Sequence, residues 1–252
     1  MEHLLRATAK AETRHFWFRG FRRFVTPLVE LAVGGRPNPL ILDCGCGTGA
    51  NVELLNAYGR AFGFDLTETG LRLGREAGRT RLARASVTAS PFAGASFDLV
   101  TSFDVLYALE DADERLAIAD MYRLLKPGGF ALVNVAAMTL LRGDHSVLSH
   151  EVRRYHRRQL REHLEAAGFS IVRLTYTNAA LFLPLAVLRI LQRARGLRPE
   201  SEVQQEISVP PEPINMLMTG VVGLESLWLR WFDVPFGSSL LCLARKPASR
   251  SL

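Results

Sequence analysis

Asp43, Gly45, Gly47 and Gly49 are the residues of this 252-residue chain whose types and spacing best fit a ligand site. They stand in Ile41-Leu42-Asp43-Cys44-Gly45-Cys46-Gly47-Thr48-Gly49, where a short apolar run ends in a carboxylate and then in three alternate glycines. Glycine adopts backbone angles closed to other residues and lets the main chain approach a ligand with no Cβ between them. The following Ala50-Asn51-Val52-Glu53-Leu54-Leu55 reads as the first turns of a helix whose N-terminal amides face that ligand. Such a loop lies at the carboxyl end of a strand, where open α/β sheets bind their ligands. Together these features form a cradle for a nucleoside cofactor.

The glycine spacing is Gly-x-Gly-x-Gly rather than the Gly-x-Gly-x-x-Gly of dinucleotide folds. Asp43 would repel a pyrophosphate but suits a cationic, phosphate-free ligand. The next strand-like run, Ala61-Phe62-Gly63-Phe64, ends in Asp65, whose carboxylate can accept both hydroxyls of a ribose. Two acids without a phosphate-binding lysine point to S-adenosylmethionine.

At these residues the chain resembles the class I S-adenosylmethionine-dependent methyltransferases, over roughly residues 38–177 and 238–246. The glycine loop is similar to the family's first motif and Phe64-Asp65-Leu66-Thr67 to its second. Ser90-Pro91-Phe92 with Ser96-Phe97-Asp98-Leu99-Val100-Thr101-Ser102 resembles the "LPF…FDLV" stretch, and Leu124-Leu125-Lys126-Pro127-Gly128-Gly129 the "LLKPGG" turn before the fifth strand. A lone glycine-rich turn or a Pro-Gly-Gly is an ordinary turn signal; the order and spacing of four such pieces carry the resemblance.

The resemblance implies a cofactor site of Asp43, Gly45, Cys46, Gly47, Asp65, Leu66, Ser86, Val87 and Phe103. Ser86 stands where many relatives have an acid for the adenine amino group, and the Val87 amide could serve the ring nitrogen. In Glu12-Thr13-Arg14-His15-Phe16-Trp17-Phe18-Arg19-Gly20-Phe21-Arg22-Arg23, three consecutive aromatics stand beside several cations. There the resemblance suggests Arg19 as partner of the methionine carboxylate and Trp17 as shield of the sulfonium; the plainer alternative is an amphipathic helix docked on the sheet.

The expected fold class is α/β: a Rossmann-like seven-stranded, mostly parallel sheet with helices on both faces, an antiparallel last strand and a helical insertion between strands 6 and 7. Alternating strand and helix patterns predict the parallel part, with strands near 40–43, 61–65, 81–86, 97–102, 129–136, 169–176 and 238–245; the antiparallel last strand comes from the resemblance. Residues 1–37 would form an N-terminal helical cap, 38–177 and 238–252 the methyltransferase core, and 178–237 the insertion. Within the insertion Leu181–Leu191 reads as an apolar helix with a basic end. A polar linker then runs through Pro210-Pro211-Glu212-Pro213, and Ile214–Phe232 reads as a second apolar helix with Met216, Met218, Trp228 and Trp231. A core cap or dimer interface, a lid over an apolar substrate, and a peripheral membrane contact all stay open for it.

Methyl transfer from a sulfonium needs alignment, plus a base where the acceptor must lose a proton. His145 and His150, in the segment after the fifth strand, have a suitable intrinsic pKa. Tyr107 and Tyr155 are candidate acceptor contacts, and Arg153, Arg154, Arg157, Arg158 and Arg161 read as the solvated face of a helix.

The net charge of +6 arises from 28 Arg and 3 Lys, a bias that suits a GC-rich coding sequence better than a nucleic-acid footprint. Cys44, Cys46 and Cys242 lack disulfide or zinc spacing, and no metal is expected. No uniformly apolar stretch of about 18 residues occurs and the N-terminus turns polar at once, so a cytoplasmic location is expected. The expected partner is a small, fairly apolar acceptor methylated at O or C: a polyketide, a quinone precursor or a lipid-linked sugar. RNA or protein methylation, or S-adenosylmethionine binding without turnover, are the alternatives.

Overall fold

The computed structural model describes residues 2–198 and 208–248. Helices α1 (Glu2–Ala11) and α2 (Phe16–Val33) precede the sheet. In α2, Phe24, Val25, Leu28, Val29, Ala32 and Val33 recur at helical spacing and are buried, and His15 Nδ1 accepts from the Trp17 N–H at its start. Within the segment expected as an N-terminal helical cap, the structure has two helices joined by a turn.

Strand β1 (Leu40–Cys44), α3 (Ala50–Leu55), β2 (Arg60–Asp65), α4 (Glu68–Glu76), β3 (Leu82–Arg84), β4 (Phe97–Phe103), α5 (Asp111–Leu124) and β5 (Leu125–Ala136) follow. After β5 come α6 (Asp144–Leu148), α7 (Arg157–Ala166), β6 (Ser170–Thr177), α8 (Phe182–Ala194), α9 (Glu212–Trp228) and β7 (Ser239–Arg245). The sheet order is β3-β2-β1-β4-β5-β7-β6, with β7 antiparallel to both its neighbours. Strand order reverses between β1 and β4, which opens the ligand crevice of a doubly wound sheet at their carboxyl ends.

Both faces of the sheet are covered, as near-continuously apolar strands require. Leu42, Val100 and Val133 face α5 and α7 through Ile118, Met121, Leu160 and Leu164. Their chain neighbours Ile41, Leu99 and Leu132 face α2, α3 and α4 through Val25, Leu28, Val52, Leu55 and Leu71. The period of two in each strand therefore places β1 and β4 rigidly between two cores.

The expected turn at Lys126-Pro127-Gly128-Gly129 lies inside β5 as a bulge. Phe97 pairs with Leu125 and Leu99 with Phe130, so the chain between them loops out of register. Gly128 supplies a φ of 77° there, its carbonyl accepts from Arg36 at 2.8 Å, and Lys126 donates to Asp98 at 2.8 Å.

Both expected insertion helices are present, α8 ending at Ala194 and α9 at Trp228. Much of the linker expected between them, residues 199–207, lies outside the described residues. Helix α9 packs on α2: Asn215 accepts from the Phe16 N–H at 2.8 Å and donates to the Arg14 carbonyl at 2.9 Å. Glu225 accepts from the Ala179 and Ala180 N–H groups, which fixes the entry to α8. Among the described residues, no helix is long and apolar enough to cross a membrane.

Candidate active site

The turn after β1 is built by positive φ at Gly45 (79°), Gly47 (54°) and Gly49 (79°). The Gly45 and Cys46 N–H groups both donate to the Phe64 carbonyl, at 2.8 and 2.9 Å, so the loop hangs from the end of β2. The Gly47 N–H donates to Asp65 Oδ2 at 2.8 Å, while Asp65 Oδ1 accepts from the Thr67 N–H at 2.8 Å and from its hydroxyl. Cys46 is buried against Gly63, where a Cβ would meet its sulfur at 2.8 Å, and burial pushes its thiol well above the usual range. Cys46 thus packs the loop and offers a ligand only its backbone.

Asp43 is buried at the strand end. Its Oδ1 accepts from the Thr101 hydroxyl at 2.6 Å, and Oδ2 is enclosed with no hydrogen-bond partner. Burial pushes its carboxyl up to about 7, with the Asp65 charge adding to the shift and the Thr101 bond opposing it. A buried, unpartnered carboxylate oxygen is costly, and a cationic ligand group beside the loop would relieve it.

The N-terminal helices cover this loop through contacts invisible in the sequence. Glu12 is buried; it accepts from the Thr48 hydroxyl at 2.6 Å and pairs with Arg79 at 2.6 Å. Arg79 also donates to the Thr48 carbonyl at 3.1 Å, and Leu5 lies about where a Cβ on Gly47 would touch it, at 3.5 Å. Trp17 is half-buried on α2 and Arg19 is exposed. Leu5 and Glu12 meet the loop from the cap.

Opposite the loop, at the end of β4, Asp104 adopts φ 60° and accepts from Asn134 Nδ2 at 2.9 Å. Its side chain reaches solvent yet is hemmed in by protein, which pushes its carboxyl up to about 7; the Asn134 bond opposes that shift, Glu151 adds to it and Arg154 opposes it. Val105 packs where a Cβ on Gly45 would stand, at 2.4 Å, so Asp104 directly precedes a residue that touches the glycine loop. Met138 and Asn178, just past β5 and β6, also have positive φ. Non-glycine residues in this region are held there only by their surroundings, and these three follow strands that end on the same edge of the sheet.

The remaining expected residues divide. Leu66 is exposed beside Asp65; Ser86 bonds Thr88 at 2.8 Å and Val87 packs on the core in the turn after β3. Phe103 is buried under α2, edge-on to Phe21 at 5.0 Å. His145 is half-buried in α6 and His150 is exposed just after it. Tyr107 is buried below Asp104, and burial, with the nearby Asp104 and Glu151 charges, pushes its phenol well up.

Two expectations are corrected. Tyr155 is fully buried and its hydroxyl donates to Glu114 at 2.6 Å, so it has no face for a substrate. Arg153 and Arg154 precede α7 and lie in ion pairs: Arg153 with Asp111 and Glu114, Arg154 bidentate with buried Glu151 at 2.8 and 2.9 Å. Arg158 and Arg161 do lie on α7, each paired with a glutamate four residues on.

Residues 42–133 match the family described as "Methyltransferase domain". That stretch runs from β1 through β5 and contains the glycine loop, Asp65 and Asp104. Over these residues the chain is similar to methyltransferase domains.

The ubiquinone/menaquinone biosynthesis C-methyltransferase UbiE of Klebsiella pneumoniae is 33% identical over 112 residues, 40% of this chain and 43% of that protein. A demethylmenaquinone methyltransferase of Renibacterium salmoninarum is 36% identical over 113 residues, 42% of this chain and 45% of that protein. The matched stretch thus spans less than half the length of those curated relatives. A SAM dependent methyltransferase from Archaeoglobus fulgidus has the same fold, with a TM-score of 0.57 at 14% identity over 90% of this chain and 93% of that one.

Two residues around the glycine loop escaped sequence reasoning. Glu12 carries no local signal, because Thr48 and Arg79 are far along the chain. Asp104 does carry one: an acid directly after the apolar, fully buried β4, in Ser102-Phe103-Asp104.

Proposed function

We propose that the protein transfers the methyl group of S-adenosylmethionine to an O or C atom of a small, fairly apolar acceptor, with a quinone precursor as first choice and a polyketide or lipid-linked sugar next. The carrying observation is Asp43 Oδ2, buried and unpartnered beside the glycine loop, which fits a cationic, phosphate-free nucleoside. The names of the two quinone-methylating relatives support the acceptor class. A cytoplasmic location belongs to the same reading.

The residues that would hold the cofactor are Asp43 toward the cationic end, the backbone of Gly45, Cys46 and Gly47, Asp65 toward the ribose hydroxyls, and Ser86 with the Val87 amide toward the base. Leu66 and Phe103 would border it, and Trp17 and Arg19 would close over the methionine end. When bound, S-adenosylmethionine supplies a methyl group already electrophilic on its sulfonium. The chain's own tasks are then to align the acceptor, exclude water and take up a proton where the acceptor has one to lose. Leu5 and the Glu12–Thr48–Arg79 cluster cover the loop and exclude water.

Asp104 is the proton acceptor we favour, ahead of His145 and His150. Its carboxylate is accessible, is oriented by Asn134, and is pushed up to about 7, where a base works near neutral pH. Tyr107 would lie beneath the acceptor.

The deciding experiment is calorimetric titration with S-adenosylmethionine and its demethylated product, with NAD as control, followed by turnover on a panel of quinone precursors. Selective binding of the first two, with turnover that falls as pH drops below about 7 and an acid limb that is lost in Asp104→Asn at a cost of about 10²–10⁴-fold in rate, is the expected result. Absence of binding overturns the cofactor assignment. Binding with an unaltered pH profile in the variant returns the base to the histidines.

A further inference from the structure

The two inserted helices are turned inside out. On α8 the residues facing the protein are Ala186, Arg189 and Gln192, while Leu183, Val187, Leu188, Ile190 and Leu191 are exposed, Leu183 by 72%. Gln192 accepts from the Asp144 N–H at 3.2 Å, and buried Asp144 pairs with Arg195 at the end of the same helix. On α9 the buried stripe is Asn215, Thr219, Val222, Glu225 and Ser226, while Met216, Leu217, Leu224, Leu227 and Trp228 are exposed. The turn beyond adds Trp231 at 81% and Phe232 at 56% exposure. A surface helix ordinarily buries its apolar stripe and shows its polar one. Here the polar groups are satisfied inward, so the outward apolar faces are not a by-product of poor packing. The Phe182 ring at the start of α8 lies 5.3 Å from that of Phe236, in the segment between α9 and β7.

Charge identifies the occupant. A groove of about 510 Å³ runs between α2 and α9, lined by Arg22, Arg23 and Arg230 with Leu224 and Leu227. None of these three arginines meets a carboxylate among the described residues, and Arg23 donates to the Thr219 carbonyl at 3.3 Å. A second copy docked here by two-fold symmetry would set the same unpaired cations against one another. An anionic lipid headgroup would complement them while the bilayer accepts the leucines, and tryptophan suits the boundary between the two.

We propose that the outer faces of α8 and α9, with Trp231 and Phe232, seat the protein on a bilayer surface containing anionic lipid. No described helix can span the bilayer, so the helices lie in the interface plane. The seat depends on neither the cofactor nor Asp104, and its test is separate from theirs.

The test is co-sedimentation of the full chain with phosphatidylcholine vesicles, with and without phosphatidylglycerol, at low and high salt, with tryptophan emission and light-scattering mass in parallel. Expected are binding to the phosphatidylglycerol vesicles, its weakening by salt and a blue-shifted emission. Arg22→Gln and Arg230→Gln should each lower partitioning about fivefold. Leu224→Ser with Trp231→Ser, both highly exposed and so tolerated by the fold, should abolish it with melting unchanged. Failure of the wild type to bind these vesicles at low salt, equal binding by all variants, or a stable dimer that the double variant dissociates would each overturn the proposal.

Discussion

The backbone N–H of Gly47 donates to Asp65 Oδ2 over 2.8 Å, which joins the middle of the glycine loop to the end of the neighbouring strand. Residues 18 apart in sequence thereby act as one rigid lip of the crevice. The carboxylate that would read a ribose also sets the loop on which the rest of the nucleoside would lie, so loop shape and ribose recognition stand or fall together.

Asp65→Ala should weaken S-adenosylmethionine binding by about 1.5–3 kcal/mol, the range for a charged hydrogen-bond partner. Thr67→Val removes one donor to the same carboxylate but keeps its charge and the Gly47 bond, and should cost well under that. Calorimetric affinities of the two variants check the ordering; equal losses would mean that the carboxylate's orientation, not its contact with ligand, dominates.

Asp43 predicts an unusual pH dependence. Its folded carboxyl lies at about 7 against an ordinary 3.8, so between those values the folded chain holds a proton that the unfolded chain has released. Stability from this group is therefore present below about pH 4 and is lost as pH rises toward 7. Asp43→Asn should melt higher than the wild type at pH 8, with the gap narrowing as pH falls. Asp104 shifts in the same direction, which is why the difference between wild type and variant is the quantity to measure. In the wild type near pH 6, binding of a cationic ligand should release protons, seen as a dependence of calorimetric heat on the buffer; the variant should lose that dependence and most of the affinity.

Much of the fold was legible because it is local. Ile41 and Leu42, or Leu99 and Val100, are adjacent apolar residues that must face opposite cores, and only a doubly covered strand allows that. The glycine loop was legible because positive φ leaves a mark in residue type. What escaped depends on partners distant in sequence. Arg153 and Tyr155 read as surface and site, but both bind Glu114, about 40 residues away. Helix α8 is apolar around much of its circumference, and nothing within it tells that Arg189 and Gln192 turn inward; that choice is made by the segment at Gly143 and Asp144.

The Glu12 cluster should hold α1 on the loop. Glu12→Gln leaves buried Arg79 with Glu53 at 3.3 Å as its remaining carboxylate, a solvent-exposed one. Losing that charged contact should cost about 1–3 kcal/mol. The loss should appear as faster hydrogen exchange across residues 2–11, with the amides of β4 unchanged, because α1 can open without the sheet. Uniform acceleration throughout the domain would show instead that the cap and the core unfold as one.

Tyr155→Phe separates a buried structural tyrosine from a substrate contact. The ring stays in its core site while the hydroxyl's bond to Glu114 is lost, and Glu114 keeps Arg153 and the His163 ring nitrogen at 2.7 Å as partners. Because those partners still compensate the buried carboxylate, the loss should stay near a single hydrogen bond, about 1–2 kcal/mol, and lower the melting temperature by a few degrees. Acceptor KM should not move, since the hydroxyl has no path to the crevice. A raised KM with unchanged melting would place Tyr155 at the acceptor after all and require the segment around it to open in solution.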